Sequence, residues 1–150
     1  MNRPKFRVWD IEEQKWYKPI FKAYKKELHV IQIELNGDLS IRTFDEVGKF
    51  VTIHESMFRG RYELLQSTGL FDKNGVEIFE SEIVNIRTIE GEIYLRGIVK
   101  KVKGGFYIEE LHHSKIIPLT DFYFKSYTNT LEIEVIGNKF EDEYLLEEED

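Results

Sequence analysis

Polar and apolar positions alternate in short runs along this chain, and the runs are separated by dipeptides that favour turns. Phe6-Arg7-Val8-Trp9 reads as a strand with Phe6 and Val8 on one face, and Trp16-Tyr17 as its return after a turn over Asp10–Gln14. His29–Leu35 alternates in the same way. Asn36-Gly37 then predicts a two-residue hairpin turn into a partner strand running from Leu39 to Phe44. Lys49–His54 is a further strand after Gly48, and Tyr62–Gln66 resumes the extended pattern. Thr68-Gly69 reads as a break in that strand. Strands are then predicted over Ile83–Ile89, Ile93–Val102 and Phe106–Leu111, with turns at Gly91 and Gly104-Gly105. These three form a meander. Leu131–Ile136 is the last strand, closed by Gly137-Asn138.

Two stretches leave the period open. In Lys18–Leu28, Pro19 is suited to open a helix, with Ile20, Tyr24 and Leu28 at helical spacing; the same residues suit a lead into the next strand. On a helix, Lys18, Lys22, Lys25 and Lys26 would form one basic, solvated face. Leu119–Phe124 suits a helical turn starting near Thr120, and Tyr144-Leu145-Leu146 a short helix that frays beyond Leu146. The class is mainly β. An N-terminal β-hairpin and sheet subdomain (1–62) is expected to precede a C-terminal small barrel (63–140), with a few short helical turns and an acidic tail (141–150).

Composition narrows the function more than it names it. A chain of 150 residues can bury a core without staples, and it has no cysteine, hence no disulfide, thiolate metal site or thiol nucleophile. The net charge of −7 resides in the last ten residues, which hold seven acids and no base, so the body is neutral. That balance argues against a protein that wraps nucleic acid. No apolar run approaches the roughly 20 residues of a membrane helix, and the N-terminus lacks a signal-peptide core. A soluble intracellular protein is the expectation.

Candidate chemistry is thin. His112-His113, with Glu109, Glu110 and Asp121 nearby, is the only adjacent pair of metal-ligand types, but strand neighbours point to opposite faces. Glu80 with Glu82, and Glu132 with Glu134, would share a strand face, as solvated acids on any exposed strand do. Ser67, Ser81 and Ser126 lack a nucleophile-elbow context, and Gly104-Gly105 leads into a strand where a phosphate loop needs a helix. No enzyme, metal or cofactor is expected. Phe58, Arg59, Arg61 and Tyr62, and Lys101, Lys103, Phe106 and Tyr107, interleave aromatic and basic residues in a way that can stack single strands; as core and oligomer interface they need no ligand.

The most distinctive stretch is Leu64–Val84. Its Asp72-Lys73-Asn74-Gly75 segment is a turn signal, and Gly69, Asp72, Asn74 and Gly75 are expected to serve backbone geometry, in a hinge-like connector to the first barrel strand. Leu64, Gln66, Thr68, Gly69, Leu70, Asp72, Asn74, Gly75, Glu77, Ile78, Phe79, Glu80, Ile83 and Val84 match, in order, the signature of the YopX family of phage and prophage proteins, which this segment resembles. Ser81 stands where that family has Gly, and Glu82 where it has Asp. Lys5–Asp10 and Glu134–Asn138 are similar to the family's opening and closing segments, though Glu141-Asp142-Glu143 replaces its usual ending. The resemblance implies a β-rich fold ending in an SH3-type barrel, with homo-oligomeric assembly. It brings no established activity and no catalytic residue. The expected function is that of a non-enzymatic phage or prophage accessory protein acting through self-assembly and protein contacts. The alternative is a module that binds single-stranded nucleic acid on its barrel strands.

Overall fold

The computed structural model describes residues 3–112, 115–121 and 131–147. The chain is mainly β, as its alternation predicts. Strands β1 (Phe6–Asp10), β2 (Lys15–Trp16), β3 (Ile20–Lys22), β4 (Glu27–Ile33), β5 (Leu39–Phe44) and β6 (Phe50–His54) precede the long β7 (Tyr62–Phe71). Then follow β8 (Glu77–Phe79), β9 (Glu82–Thr88), β10 (Ile93–Val102), β11 (Gly105–Glu110), β12 (Ile116–Pro118) and β13 (Leu131–Asn138). Single 3-10 turns cover Ala23–Lys25, Glu55–Met57 and Glu143–Leu146. Two compact units emerge: Val8–Leu64 forms one, and Met1–Arg7 joins Leu65–Asp150 in the other.

The N-terminal unit is built on a four-stranded antiparallel sheet in the order β3-β4-β5-β6. The ambiguous Lys18–Leu28 segment is a hairpin, not a helix: β3 pairs with β4 across the 3-10 turn and Lys26, whose φ is +55°. The four lysines therefore share no helical face. In its Trp9↔Trp16 pair, β1 sets two indoles edge to face at 4.9 Å, and Trp9 is buried.

The C-terminal unit carries a curled five-stranded sheet, β12-β11-β10-β9-β13. Within it β9, between β10 and β13, buries both faces, and so reads EIVN with no clean alternation. Ile78, Val84, Ile86, Val99, Ile108 and Ile133 form the centre of its core, closed by Leu119. Buried Asn85 is satisfied by Arg96, whose Nε donates to its Oδ1 at 2.8 Å. Leu119–Asp121 is helical, and the rest of the helical turn expected there, like His113, lies outside the described residues.

Four hairpin turns repeat one design. In Glu34–Gly37, Asp45–Gly48, Asp72–Gly75 and Thr88–Gly91 the glycine N–H donates to the carbonyl of the first residue at 2.9–3.0 Å. The first residue's own N–H donates to the carbonyl just past the glycine, at 2.8 Å each time. Each glycine has φ between +80° and +93°, while the two residues before it keep negative φ. This is a turn followed by a left-handed residue, so the two-residue turn expected at Asn36-Gly37 is one residue longer. The two-residue turn occurs instead at Lys103-Gly104 (φ +49° and +85°), which leaves Gly105 in β11. Thr68-Gly69 does not end a strand either. Gly69 (φ +79°) is a bulge inside β7, where the register with β8 shifts between Ser67 and Phe71.

Candidate functional site

Of the four residues singled out in the sequence, Gly69 is the β7 bulge, while Asp72, Asn74 and Gly75 share one turn whose hub is Asp72. Asp72 is buried, and its Oδ1 accepts from the N–H groups of Asn74 (2.8 Å) and Val76 (2.9 Å). Its Oδ2 accepts from Val135 N–H on β13 at 3.0 Å, and Lys73 N–H donates to the Ile133 carbonyl at 2.9 Å. One aspartate therefore shapes its own turn and ties it to a strand 63 residues away. Lys73 lies between Glu132 (3.5 Å) and Glu134 (3.2 Å), so those two acids hold a cation. Near Gly69, an open groove of about 610 Å³ is lined by Lys5, Thr68, Phe71, Glu77 and Phe106, with Lys5 and Glu77 paired at 3.4 Å.

Glu82, which is buried, pairs with the half-buried Arg7. Glu82 Oε1 accepts from Arg7 Nη2 at 3.2 Å and from Phe79 N–H at 3.0 Å, while the guanidinium sits 4.6 Å from the Phe79 ring centre. Burial pushes the Glu82 carboxyl up to about 7, against the opposing pull of Arg7 and the Phe79 N–H; Asp72 and Glu77 add to the rise. Glu82 thus binds a proton in the folded chain over a pH range in which the unfolded chain has lost it. Between about 4.5 and about 7 its contribution to stability falls as pH rises. Burial lowers the affinity of His29 for protons, so His29 contributes the opposite slope near its ordinary value of 6.5. Urea unfolding of wild type and Glu82→Gln at pH 5 to 8 is expected to show the downward term in wild type only. Parallel curves for the two would refute it.

The other spacing-based candidates do not come together. Glu80 and Glu82 are separated by Ser81, whose φ is +68°, and do different work: Glu80 Oε1 accepts from Gln66 N–H at 3.0 Å. His112 is exposed. Arg61 donates to buried Asp10 from Nε (3.3 Å) and Nη2 (3.1 Å), and Tyr62 packs edge to face against Phe58 and Tyr17. Burial raises the Asp10 pKa, but Arg61 and the Glu13 and Glu12 N–H groups outweigh it and leave the carboxyl below its ordinary value. Lys101 Nζ donates to Gln66 Oε1 at 2.8 Å and lies 6.0 Å from the Phe106 ring centre.

Sequence spacing misses Asp38, His54 and Glu55, a group able to converge on a cation among the described residues. Both His54 ring nitrogens are engaged, however: Nε2 with Asp38 Oδ2 at 3.0 Å and Nδ1 as acceptor from Ser56 N–H at 3.2 Å. A hydrogen-bonded turn accounts for the cluster. Also missed is a row of apolar side chains on one face of the N-terminal sheet. Phe21 pairs with Leu28, and Phe44 with Phe50, at neighbouring positions across the four strands. Phe21 is 69% exposed and Phe50 43%, with the Arg42 guanidinium 4.7 Å from the Phe50 ring centre. The alternation of each strand holds the signal, but the row exists only once β3 is known to be a strand.

The fold has known counterparts. The sequence profile described as YopX protein matches residues 5–147. The chain belongs to the YopX family. Protein EF1440 from Enterococcus faecalis is 25% identical, with a TM-score of 0.55 over 96% of this chain and 98% of that one. Protein yopX from Bacillus subtilis is 20% identical, with a TM-score of 0.58 over 97% and 98%. No curated protein matches. The YopX signature explains the tension at Ser81, which occupies a left-handed corner where the family pattern has Gly. That corner is fixed from both sides: Ser81 N–H donates to the Val99 carbonyl at 2.7 Å, and Lys139 N–H to the Ser81 carbonyl at 3.0 Å. Ser81→Gly is expected to raise stability by up to ~1 kcal/mol, read as a higher urea midpoint. A lower midpoint would mean that the corner carries no strain.

Proposed function

We propose that this YopX-family chain is a non-enzymatic phage or prophage accessory protein that works by self-assembly and protein contact in a bacterial cytoplasm. The carrying observation is the distribution of exposed apolar side chains. Of the seventeen large hydrophobics exposed among the described residues, nine lie within Val8–Leu64, including Phe21, Tyr24, Leu35, Val47 and Met57. That unit fully buries only Trp9, Leu39 and Ile41 of its described hydrophobic side chains. A unit of this size leaves much of its apolar surface in water, and a concentration of that kind favours association. Among the described residues no helix is long and apolar enough to cross a membrane.

We read the curled sheet as an SH3-like small barrel; the β9–β10–β11 meander and the return of β13 against β9 support that reading. Sedimentation velocity over micromolar concentrations tests the assembly. Species heavier than one chain are expected to grow with concentration, and a strict monomer throughout would overturn the proposal. The second reading, a single-strand binding module, draws on the Arg42–Phe50 and Lys101–Phe106 stacks. It predicts that a labelled oligothymidylate binds at low salt and is released as salt rises. No change in its anisotropy at low salt would dismiss it.

A further inference from the structure

Sheet edges offer backbone groups to any passing strand, and folded proteins blunt them with charge, proline, bulges or shortness. Most edges in this molecule are treated in that way. β2 has two residues; β3 has three and includes Lys22; β8 has three and includes Glu77; β12 has three and ends at Pro118. β13 is long, but it carries Glu132 and Glu134 on its alternating positions and a register shift between Val135 and Gly137. β6 is the exception. Phe50-Val51-Thr52-Ile53-His54 holds no acid, no Lys or Arg and no proline, and pairs with β5 at five successive positions without a shift.

Which groups of β6 face outward follows from the turn before it. Asp45 N–H donates to the Lys49 carbonyl, so that pair points into the hairpin. Alternation then directs Val51 and Ile53 inward to β5, and the backbone groups of Phe50, Thr52 and His54 outward. Among the described residues, neither Phe50 nor Thr52 has a backbone partner on that outer side.

We infer that the outer edge of β6 pairs antiparallel with β6 of a second copy about a two-fold axis at Thr52, making one continuous sheet of the two N-terminal units. This rests on the self-assembly reading above and specifies its surface. The strand complements itself in that register. Thr52 meets Thr52, Phe50 meets His54, and all are outward-facing residues, as a hydrogen-bonded pair requires. Val51 meets Ile53, a β-branched pair at the closer, non-hydrogen-bonded spacing. One step beyond the strand at each end, Lys49 of one copy meets Glu55 of the other, so the flanking charges match twice. Shifting the register by two residues keeps the backbone polarity but loses the Thr52 axis and both charge pairs. An isologous contact of this kind closes on itself and consumes the open edge.

The test uses the full chain in sedimentation velocity, with folding checked by circular dichroism and thermal midpoint. Thr52→Pro removes an outward N–H without breaking a bond to β5, so it is expected to fold and to weaken self-association at least tenfold. Lys49→Glu and Glu55→Lys place like charges together and are each expected to weaken it several-fold, whereas the double variant regains wild-type association. The swap needs no proline and decides the matter if Thr52→Pro misfolds. Association that survives Lys49→Glu, Glu55→Lys and a folded Thr52→Pro unchanged overturns the β6 assignment while leaving self-assembly standing. A monomeric wild type overturns both.

Discussion

Gly97→Val is expected to cost ~3 kcal/mol or more and to shift the urea unfolding midpoint sharply downward. A β-carbon built on Gly97 would lie 2.4 Å from Ile108 Cγ2 and 2.7 Å from the Glu109 carbonyl oxygen. Neither neighbour can retreat. Ile108 is fully buried in the core, and Glu109 belongs to the unbroken β10–β11 ladder, in which Ile98 faces it and Gly97 faces Glu110. Room could come only from moving β11 away from β10, which would open the core beneath. Gly104→Ala is the control: its β-carbon would meet nothing within 4 Å, so only the left-handed φ of +85° is penalised, at about 1 kcal/mol. Equal losses in the two variants would show that backbone freedom, not space, is what Gly97 provides.

Asp72→Ala comes next, with an expected loss of ~3 kcal/mol. The carboxylate satisfies three N–H groups, those of Asn74, Val76 and Val135, and unsatisfied buried donors cost about 1–3 kcal/mol each. The losses will not add fully, because the turn can relax towards water once freed. Asp72→Asn separates the two ends of the hub. An amide that keeps its oxygen towards Asn74 and Val76 turns its NH2 towards the Val135 N–H, so this variant should keep the turn and lose the tie to β13. An intermediate stability for Asn is the expected result. Asp72 also helps hold the Glu82 pKa up, so in Asp72→Ala the downward pH slope assigned to Glu82 should end at a lower pH and amount to a smaller total loss. Wild-type stability in Asp72→Ala would mean that the turn forms without its side chain.

How much of this was legible depended on range. The turns were readable because a glycine in a left-handed position is a local requirement with a local signature. Even there, Asn36-Gly37 was misread by one residue, since the dipeptide alone does not say whether Asn must also turn left-handed. Lys18–Leu28 misled for the opposite reason. Ile20, Tyr24 and Leu28 keep helical spacing, but Ile20 and Tyr24 are exposed, and pairing of β3 with β4 decided the outcome. Glu82 looked like an exposed acid beside Glu80; only Arg7, 75 residues earlier, makes it a buried partner. The open edge of β6 was written in its composition from the start. Its meaning required knowing that, among the described residues, no strand pairs with it.

The split of the C-terminal unit around Val8–Leu64 sets an order of events during synthesis. Arg7 leaves the ribosome 75 residues ahead of its counter-ion, a wait of roughly 4–15 s at ordinary translation rates. Val8–Leu64 is complete before that and can fold while the leading residues remain uncommitted. Arg7 is therefore synthesised before Val8–Leu64 and placed after it. A chain begun at Leu65 would bury Glu82 with no cation to receive it.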